Sequence, residues 1–310
     1  MKALVTGGGG FIGSNLVRAL LERGDDVRVL DNFSTGSRRN LAGLDVEVVE
    51  GELRSYERVH NAVRGTEIVF HLGALGSVPR SVQDPLTSSA VNVEGTLNVQ
   101  LAARDEGVRR VVFASSSSIY GNQSELPLRE AMAPDPISPY GVAKLAAERY
   151  CVSFSRVYHS FETVVLRYFN VFGPRQDPTS QYAAVVPLFI TAIAAREPVT
   201  IFDDGEQSRD FTYVDNVVAA NLLAADAAGA NGRIFNISGG TPTSVNELAV
   251  TIGRLLGKPV ERRFLPARPG DLRNSWADVS EARTLLGFEP QVELEEGLRR
   301  TADYLLGGED

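Results

Sequence analysis

Residues 2–31 of the chain read KALVTGGGGFIGSNLVRALLERGDDVRVLD. An apolar run, a glycine-rich turn, a helical pattern of leucines and a second apolar run that ends in Asp31 follow one another in this segment. The apolar runs predict strands, and the leucine spacing predicts an amphipathic helix between them. The segment is therefore predicted to be a strand-helix-strand unit whose first turn is made of glycine.

The glycines of that turn are spaced as in a dinucleotide-binding site. Gly7, Gly10 and Gly13 would let the backbone turn sharply and approach a pyrophosphate, which binds to the N–H groups and the positive end of the following helix. Asp31 follows Gly13 by 18 residues. That distance is close to the spacing of about 20 expected for the acid that binds the adenine ribose. Residues 2–31 therefore predict a dinucleotide site.

The acid also indicates which dinucleotide is bound. A carboxylate at Asp31 accepts hydrogen bonds from both ribose hydroxyls and repels a 2′-phosphate, so the predicted cofactor is NAD rather than NADP. Arg38 and Arg39 lie close by and would favour NADP if they reached the ribose. They come after the acid, and we expect them to cover the adenine or to face water.

The rest of the chain continues the alternation of strands and helices. Further predicted strands are 46–50, 67–71, 110–115, 162–168, 199–202 and 209–213. Predicted helices are 55–63, 87–106, 138–158, 183–196, 215–227, 244–256, 279–286 and 293–306. Regular alternation is typical of an α/β fold with a doubly wound parallel Rossmann sheet, which binds ligands at the carboxyl ends of its strands.

Two domains are expected because 310 residues exceed the usual size of one domain. The alternation weakens after about residue 170. We predict a Rossmann domain at 1–170 plus about 214–237, and a smaller α/β substrate-binding domain at about 171–213 and 238–310.

Composition and charge disfavour several kinds of partner and site. The net charge of −8 disfavours nucleic acid and anionic membranes as partners. No apolar run approaches the roughly 18 residues of a membrane helix, and the strand motif at residue 3 leaves no room for a signal peptide, so a cytoplasmic protein is expected. Cys151 is predicted to fill the core, and the three histidines show no metal-binding spacing, so no metal is expected.

A Tyr-x-x-x-Lys pair stands out because the chain has only three lysines and nine tyrosines. Chance predicts about 0.1 such pair, and one occurs, at Tyr140 and Lys144. This spacing places both side chains on one helix face, where the ammonium would favour the phenolate and lower the pKa of Tyr140 below about 10. Tyr140 is therefore predicted to be a base near neutral pH. The alternative is an incidental pair on a solvated helix.

Four serines end the strand predicted at 110–115. Ser115, Ser116, Ser117 and Ser118 would place hydroxyls at the ligand-binding edge of the sheet. Any one of them could merely terminate the strand.

With these serines, Tyr140 and Lys144 form the Ser/Tyr/Lys set of the short-chain dehydrogenase/reductase superfamily, which the chain resembles over nearly its full length. It is similar to the extended branch, whose members act on nucleotide sugars, and most similar to the UDP-hexose and UDP-N-acetylhexosamine 4-epimerases. The motifs that carry the resemblance are TGGGGFIG (6–13), DNFSTG (31–36), HLGA (71–74), SSSIYG (116–121), LRYFN (166–170), RDF (209–211) and RPGD (268–271).

The resemblance implies a set of residues for NAD. Tyr140 and Lys144 belong both to this set and, with Ser116, to the catalytic set; Ser117 would assist. The implied NAD contacts are Gly7, Gly10, Phe11, Ile12, Asp31, Asn32, Ser34, Thr35, Gly36, Glu52, Leu53, Leu72, Ala74, Tyr140, Lys144 and Tyr168. Glu52 departs from the Asp that the family has at the adenine.

The resemblance also implies a set of residues for the UDP-sugar. Arginines at 209 and 268 would bind the diphosphate together with Asn170, and Asp271 would accept from the nucleotide ribose. The implied substrate contacts are Gly76, Ser77, Ser116, Ser117, Asn170, Ala184, Val185, Phe202, Arg209, Arg268, Asp271 and Ser275. A homodimer through the helices near 87–106 and 138–158 is implied as well.

The expected reaction is C4 epimerisation through a transient 4-keto sugar, in which Tyr140 takes the O4 proton and NAD ends unchanged. Related dehydratases and decarboxylases carry acids just after the catalytic hydroxyl, where this chain has Ser117 and Ser118. Ser275 stands where enzymes restricted to plain hexoses have a bulky Tyr, which leaves space for a 2-N-acetyl group. UDP-N-acetylglucosamine or UDP-glucose is therefore the expected substrate.

Three alternatives stay open. The substrate would be UDP-glucuronate if Arg175 or Arg80 met its carboxylate. A net NAD-dependent oxidoreductase would share the glycines and the catalytic set, but would need added cofactor and lack the diphosphate arginines. A non-catalytic NAD-binding scaffold would have no reason to retain Lys144.

Overall fold

The fold was analysed in a computed structural model that describes residues 1–179, 184–267 and 272–307. Eleven α-helices lie in these ranges. They are α1 (Phe11–Glu22), α2 (Tyr56–Val63), α3 (Val78–Gln83), α4 (Pro85–Ser89), α5 (Gly95–Asp105), α6 (Pro139–Val157), α7 (Val185–Ala195), α8 (Val214–Asp226), α9 (Val245–Leu256), α10 (Ser280–Leu286) and α11 (Leu294–Leu305).

Fourteen strands lie in the same part of the chain. They are β1 (Lys2–Thr6), β2 (Asp26–Asp31), β3 (Glu47–Glu50), β4 (Ile68–His71), β5 (Arg110–Ser116), β6 (Glu162–Tyr168), β7 (Val171–Phe172), β8 (Val199–Phe202), β9 (Ser208–Asp210), β10 (Thr212–Tyr213), β11 (Arg233–Ile237), β12 (Pro242–Ser244), β13 (Arg262–Leu265) and β14 (Asn274–Ser275).

A seven-stranded parallel sheet forms the centre of the molecule. Its strand order is β11-β6-β5-β4-β1-β2-β3, and every neighbouring pair is parallel. The chain adds β2 and β3 on one side of β1, then returns to add β4, β5, β6 and β11 on the other. A crevice for ligands opens at such a reversal, at the carboxyl ends of β1 and β4. The predicted doubly wound α/β fold is confirmed.

Helices cover both faces of this sheet, and each face has its own core. On one face α1 and α8 pack together over Leu16, Leu20 and Phe235. On the other face α2 and α5 bury a second cluster that includes Val59 and Val99, beside α6. The inner strands β1, β4, β5 and β6 are buried on both sides, which explains their nearly continuous apolar sequences.

The sequence analysis missed one strand of the central sheet, β11 at its edge, and also the short strands β7, β12, β13 and β14 outside that sheet. The β11 sequence RIFNI is short and contains Asn236, whose side chain would be costly to bury alone. In the structure Asn236 is buried, accepts from the Tyr120 hydroxyl at 2.7 Å and donates to the Leu128 carbonyl at 2.9 Å. Tertiary partners that no local pattern reveals therefore allow this strand.

The segment before the predicted helix 87–106 also differs from expectation. Residues 78–83 form α3, which was not predicted, and α4 continues through a π-helical turn at Ala90–Glu94 into α5. Prolines at the starts of α3 and α4 interrupt the apolar periodicity, although Pro is well tolerated in a first helical turn.

Residues after 170 build three small sheets and a separate hydrophobic cluster. The sheets pair β7 with β10, β9 with β12 and β14, and β8 with β13. The cluster is formed by Phe172, Phe189, Ile201, Leu248 and Leu298, among others. No helix within the described ranges has both the length and the apolar character that a membrane crossing requires.

A buried ion pair connects α6 to the central sheet. Arg167 on β6 and Glu148 on α6 are almost fully inaccessible, and two hydrogen bonds of 2.7 and 2.9 Å join them. Arg167 also donates to the Tyr120 hydroxyl at 2.7 Å, and Ser115 donates to Glu148 at 3.0 Å. Each charge is thus paired and hydrogen-bonded, as burial requires.

Removing one partner of this pair should destabilise the fold strongly. We expect Arg167→Met to lower the free energy of unfolding by about 3–5 kcal/mol, because it leaves the Glu148 carboxylate buried and uncompensated. Denaturant-induced unfolding measures the loss. Arg283→Met is the matched control, since the Arg283–Glu289 pair is half exposed on both sides. A loss for Arg167→Met no larger than for the control would contradict the assignment.

Candidate active site

A cavity of about 690 Å³ opens at the carboxyl edge of the central sheet. The ends of β1, β2, β4, β5 and β6, and the segments that follow them, form its walls. The residues that line it are Gly7, Gly10, Phe11, Ile12, Gly13, Leu30, Asp31, Asn32, Ser34, Thr35, Gly36, Gly51, Glu52, Leu53, Arg54, Leu72, Gly73, Ala74, Leu75, Gly76, Ser77, Val78, Arg80, Thr87, Val91, Ala114, Ser115, Ser116, Ser117, Ser118, Tyr140, Lys144, Tyr168, Asn170 and Val171.

The glycine turn brings the start of α1 against the end of β1. Gly7 has a positive φ of 71°, and a Cβ on Gly13 would lie 2.1 Å from the Gly7 carbonyl oxygen. No side chain caps the N-terminus of α1, and Phe11 and Ile12 of its first turn line the cavity. The N–H groups and positive end of a helix are a site for an anion. The turn therefore fits the pyrophosphate of a dinucleotide.

Asp31 is held in place at the end of β2. Its carboxylate accepts from the backbone N–H of Gly9 at 2.8 Å and from that of Phe33 at 2.7 Å. Each oxygen keeps a further lone pair for a ribose hydroxyl. Arg38 pairs with Glu50 and lies 4.3 Å over the Phe33 ring, outside the cavity lining. This arrangement fits NAD.

A buried histidine supports the loop that follows β4. His71 bonds Thr6 Oγ1 at 2.7 Å and Thr96 Oγ1 at 3.0 Å, while Thr6 Oγ1 accepts from the Gly73 N–H at 3.0 Å. Burial, reinforced by the charge of Lys144, lowers the pKa of His71 to about 3. His71 is therefore neutral near pH 7 and joins the two strands on either side of the crevice.

Tyr140 and Lys144 stand in the first turns of α6. Ser138 caps this helix by accepting from the Gly141 N–H at 3.1 Å. Tyr140 lines the cavity, and its phenol hydrogen-bonds the Ser116 side chain. Lys144 is buried, and its ammonium donates to the Ala114 carbonyl at 2.8 Å.

The prediction that Lys144 lowers the pKa of Tyr140 is wrong. Burial raises the pKa of Tyr140, and only the hydrogen bond with Ser116 acts in the opposite direction. The Lys144 ammonium is directed at β5, where it lies 5.0 Å from the centre of the Phe113 ring, and burial lowers its own pKa to about 8. Helical spacing placed both residues on one face but could not show where the ammonium points.

The four serines after β5 have different surroundings. Ser115 turns inward and donates to Glu148. Ser116 Oγ accepts from the Ser118 backbone N–H at 3.1 Å and bonds Ser118 Oγ at 3.1 Å, as the chain enters a 3₁₀ turn. Of the four side chains, Ser116 is the one bonded to Tyr140.

All sixteen residues predicted to contact NAD line this one cavity, and their individual roles stay predictions. Glu52 is among them, and it is joined to Arg54 in an exposed ion pair. The described residues contain no cluster of three or more His, Cys, Asp or Glu side chains suited to a metal ion.

Some of the residues predicted to contact the sugar nucleotide line the cavity, and others do not. Gly76, Ser77, Ser116, Ser117 and Asn170 line the cavity. Ala184, Val185, Phe202, Arg209 and Ser275 belong to elements after residue 170 and are not among its lining residues. Arg268 and Asp271 lie outside the described residues.

Two of these positions have distinctive geometry. Asn170 has a positive φ of 30°, which is unusual for a non-glycine residue and typical of functional sites. Arg209 donates to the carbonyls of Ser208 at 2.7 Å and Arg273 at 3.3 Å, and β9 pairs it with Ser275 of β14.

Some cavity residues were not predicted from the sequence. Val78, Thr87 and Val91 come from the unpredicted α3 and from the α4–α5 region, and apolar or hydroxyl residues in such a segment carry no recognisable signal. Of the two arginines considered for a sugar carboxylate, Arg80 lines the cavity, whereas Arg175 donates to Asn15 at 2.8 Å and lies over the Tyr304 ring.

Comparison with known proteins adds independent evidence. The family described as "NAD dependent epimerase/dehydratase family" matches residues 3–238. The chain is 40% identical to a UDP-glucose 4-epimerase of Mycolicibacterium smegmatis, with 98% of each chain covered. It is 33% identical to a UDP-glucuronate 4-epimerase of Thermodesulfobacterium geofontis, with 97% of this chain and 95% of that protein covered.

One solved structure is similar to this protein over 98% of the chain. The UDP-N-acetylglucosamine 4-epimerase of Methanobrevibacter ruminantium M1, in complex with UDP-N-acetylmuramic acid, is 38% identical and superposes with a TM-score of 0.93 over 98% of both chains. The family resemblance and the NAD cofactor predicted from the sequence are confirmed by these matches. The chain belongs to the NAD dependent epimerase/dehydratase family, within the extended short-chain dehydrogenase/reductase superfamily.

Proposed function

We propose that this protein catalyses the NAD-dependent C4 epimerisation of a UDP-sugar, with UDP-N-acetylglucosamine or UDP-glucose as substrate. One observation carries the proposal. The cavity that the glycine turn and Asp31 line is the same cavity that Ser116 and Tyr140 line. A dinucleotide site and an acid-base group therefore share one space, as reversible oxidation of an alcohol requires.

Tyr140 moves the proton in this mechanism. In its phenolate form it accepts the proton of the sugar O4, and it returns that proton when the alcohol is formed again, so no net proton is released. When bound, NAD supplies a reversible hydride acceptor for C4. The hydrogen bond of Ser116 to the phenol favours the phenolate against the effect of burial.

The sugar must be held differently from the diphosphate. Epimerisation requires the keto sugar to present its other face, so the ring is bound loosely while the diphosphate is bound firmly. We infer that the segments 171–213 and 238–310 form the domain that binds the nucleotide. Their separate hydrophobic cluster supports this division. Arginines are suited to bidentate phosphate binding, which supports Arg209 and Arg268 as the diphosphate contacts.

The remaining predicted contacts complete this proposed site. Asn170 would donate to the diphosphate from the cavity edge, and Asp271 would accept from the nucleotide ribose. Ala184, Val185 and Phe202 would line the region of the uracil and the diphosphate. Their positions at the start of α7 and the end of β8, next to the small sheets, support a shared role.

The side chains around the sugar bear on which UDP-sugar is used. Ser275 is small, which supports a pocket with room for a 2-N-acetyl group. UDP-glucuronate is the second candidate, and Arg80 supports it because a guanidinium on the cavity wall is suited to bind a carboxylate.

Location and assembly are also part of the proposal. A single buried cysteine, Cys151, cannot form a disulfide within the chain, which supports a reducing, cytoplasmic compartment. We propose a homodimer through α5 and α6. On α6 the exposed residues Val142, Tyr150 and Val157 recur at helical spacing along one face, with 53%, 41% and 61% of their surfaces accessible.

Turnover without added cofactor tests the proposed reaction. Purified protein is incubated separately with UDP-N-acetylglucosamine, UDP-glucose and UDP-glucuronate, and the C4 epimers are separated by chromatography. We expect conversion of at least one of the first two with no added NAD, because the cofactor ends each cycle unchanged. Conversion of UDP-glucuronate alone would favour the second candidate. Turnover that needs added NAD and accumulates NADH would instead indicate a net oxidoreductase.

Removal of the Tyr140 hydroxyl tests the proposal that this group is the base. We expect Tyr140→Phe to lower kcat by about 10²–10⁴-fold, the usual contribution of a general base, while UDP-sugar binding measured by calorimetry is retained. Tyr150→Phe on the exposed face of the same helix is the matched control and should keep full activity. Undiminished turnover of Tyr140→Phe would rule out this base.

A charge on the exposed face of α6 tests the proposed assembly. We expect the wild-type protein to sediment as a dimer in analytical ultracentrifugation and Tyr150→Glu to dissociate it, because the new carboxylates would be buried at the interface. Val250→Glu on α9, where Val250 is 50% exposed, is the control and should leave the dimer intact. A monomeric wild type would exclude the homodimer.

A further inference from the structure

The start of the catalytic helix is held by a residue from another element. Ser81 on α3 is 1% exposed. Its hydroxyl oxygen accepts the backbone N–H of Tyr140 at 3.0 Å, and its proton is donated to the Val78 carbonyl at 2.7 Å. The bonded backbone is therefore that of the catalytic tyrosine itself.

This contact completes the capping of α6. The first N–H groups of a helix have no partner within the helix. Pro139 has no N–H, Gly141 donates to Ser138 Oγ, and Val142 donates to the Ser138 carbonyl. The Tyr140 N–H would remain unsatisfied without Ser81. Ser138 directly precedes α6 in the sequence, so its cap fixes only the residue at which the helix begins. Ser81 belongs to α3, so its bond also fixes the start of α6 relative to another element.

The element that supplies this contact is itself a wall of the cavity. Ser77, Val78 and Arg80 line the cavity, and Ser81 is the next residue along the chain. The donation from Ser81 to the Val78 carbonyl joins the cap to that wall directly. The Ser81 hydroxyl therefore connects the cavity wall to the Tyr140 backbone through two hydrogen bonds.

We propose that Ser81 is a positioning residue for the reaction, which holds the first turn of α6 so that the Tyr140 phenol stays within reach of both Ser116 and the sugar O4. The inference rests on the proposed function, since it assigns Ser81 to that same site. Ser81 does not touch the reacting atoms in this role. It acts through the backbone of Tyr140.

The size of the expected effect follows from the sensitivity of proton transfer to distance. A displacement of about 1 Å at a reacting group can cost about 10²-fold in rate. Loss of one cap bond allows the first turn to move while Lys144, one turn further along, stays bonded to the Ala114 carbonyl. The consequence is a slower chemical step with little change in binding of the nucleotide, whose proposed contacts lie at residue 170 and beyond.

The test compares variants of the full-length protein carrying its bound NAD, with the UDP-sugar that the wild type turns over. We expect Ser81→Ala to lower kcat by about tenfold to a hundredfold, with KM and the Kd for UDP changed less than about threefold. Ser81→Thr keeps the hydroxyl and should recover most of the lost rate. Ser155→Ala is the matched control, because Ser155 makes the same bond to the carbonyl three residues back, to Val152 at 2.9 Å, but accepts from no catalytic residue.

A second measurement separates positioning from general loss of structure. The rate at which the bound nicotinamide is reduced on mixing with UDP-sugar, followed by its absorbance, should fall with kcat in Ser81→Ala and recover in Ser81→Thr. If Ser81→Ala fails to fold, Ser81→Cys provides the same comparison with a weaker acceptor of similar size.

Two outcomes would overturn the inference. One is a kcat of Ser81→Ala within twofold of the wild type. The other is a parallel loss of kcat, UDP affinity and melting temperature that Ser81→Thr does not reverse, which would make Ser81 a residue of general stability. A wild type that converts no UDP-sugar would instead contradict the proposed function.

Discussion

The architecture depends on how closely the start of α1 approaches the end of β1. A side chain at Gly13 would collide with the Gly7 carbonyl, so only glycine lets the helix begin against the sheet edge. That approach directs the uncapped N-terminus of α1 into the crevice between β1 and β4. The charge-binding end of a helix and the carboxyl ends of parallel strands thereby meet at one place. The proposed NAD site and the proposed reaction are organised around this contact.

A second constraint acts on α6, the helix that carries Tyr140 and Lys144. Its interior side is fixed to the sheet by the ion pair of Glu148 with Arg167, and its start is fixed by Ser138 and Ser81. Both arrangements satisfy buried polar groups rather than add apolar area. Polar groups are directional, so they determine the orientation of the helix more narrowly than hydrophobic contacts would. The proposed acid-base role of Tyr140 needs this precision, because the phenol must stay within hydrogen-bonding distance of its partners.

The sequence was sufficient for the parts of the fold that local periodicity controls. The glycine turn, Asp31 and the regular strands and helices specified the Rossmann fold, and the rare Tyr140–Lys144 pair led to the proposal that α6 is the catalytic helix. Features set by tertiary partners were missed. Strand β11 contains a buried Asn236 that needs Tyr120 as its partner, and the direction of the Lys144 ammonium depends on a carbonyl of β5. No spacing along the chain records either relation.

The two backbone hydrogen bonds to the Asp31 carboxylate join the glycine turn to the segment after β2 through groups of the protein itself. A dinucleotide bound to a loop held in this way would order little of the protein, so most of its contact energy would be retained as affinity. An NAD retained in this way would act as a prosthetic group. Turnover would then not depend on the ratio of NAD to NADH in solution.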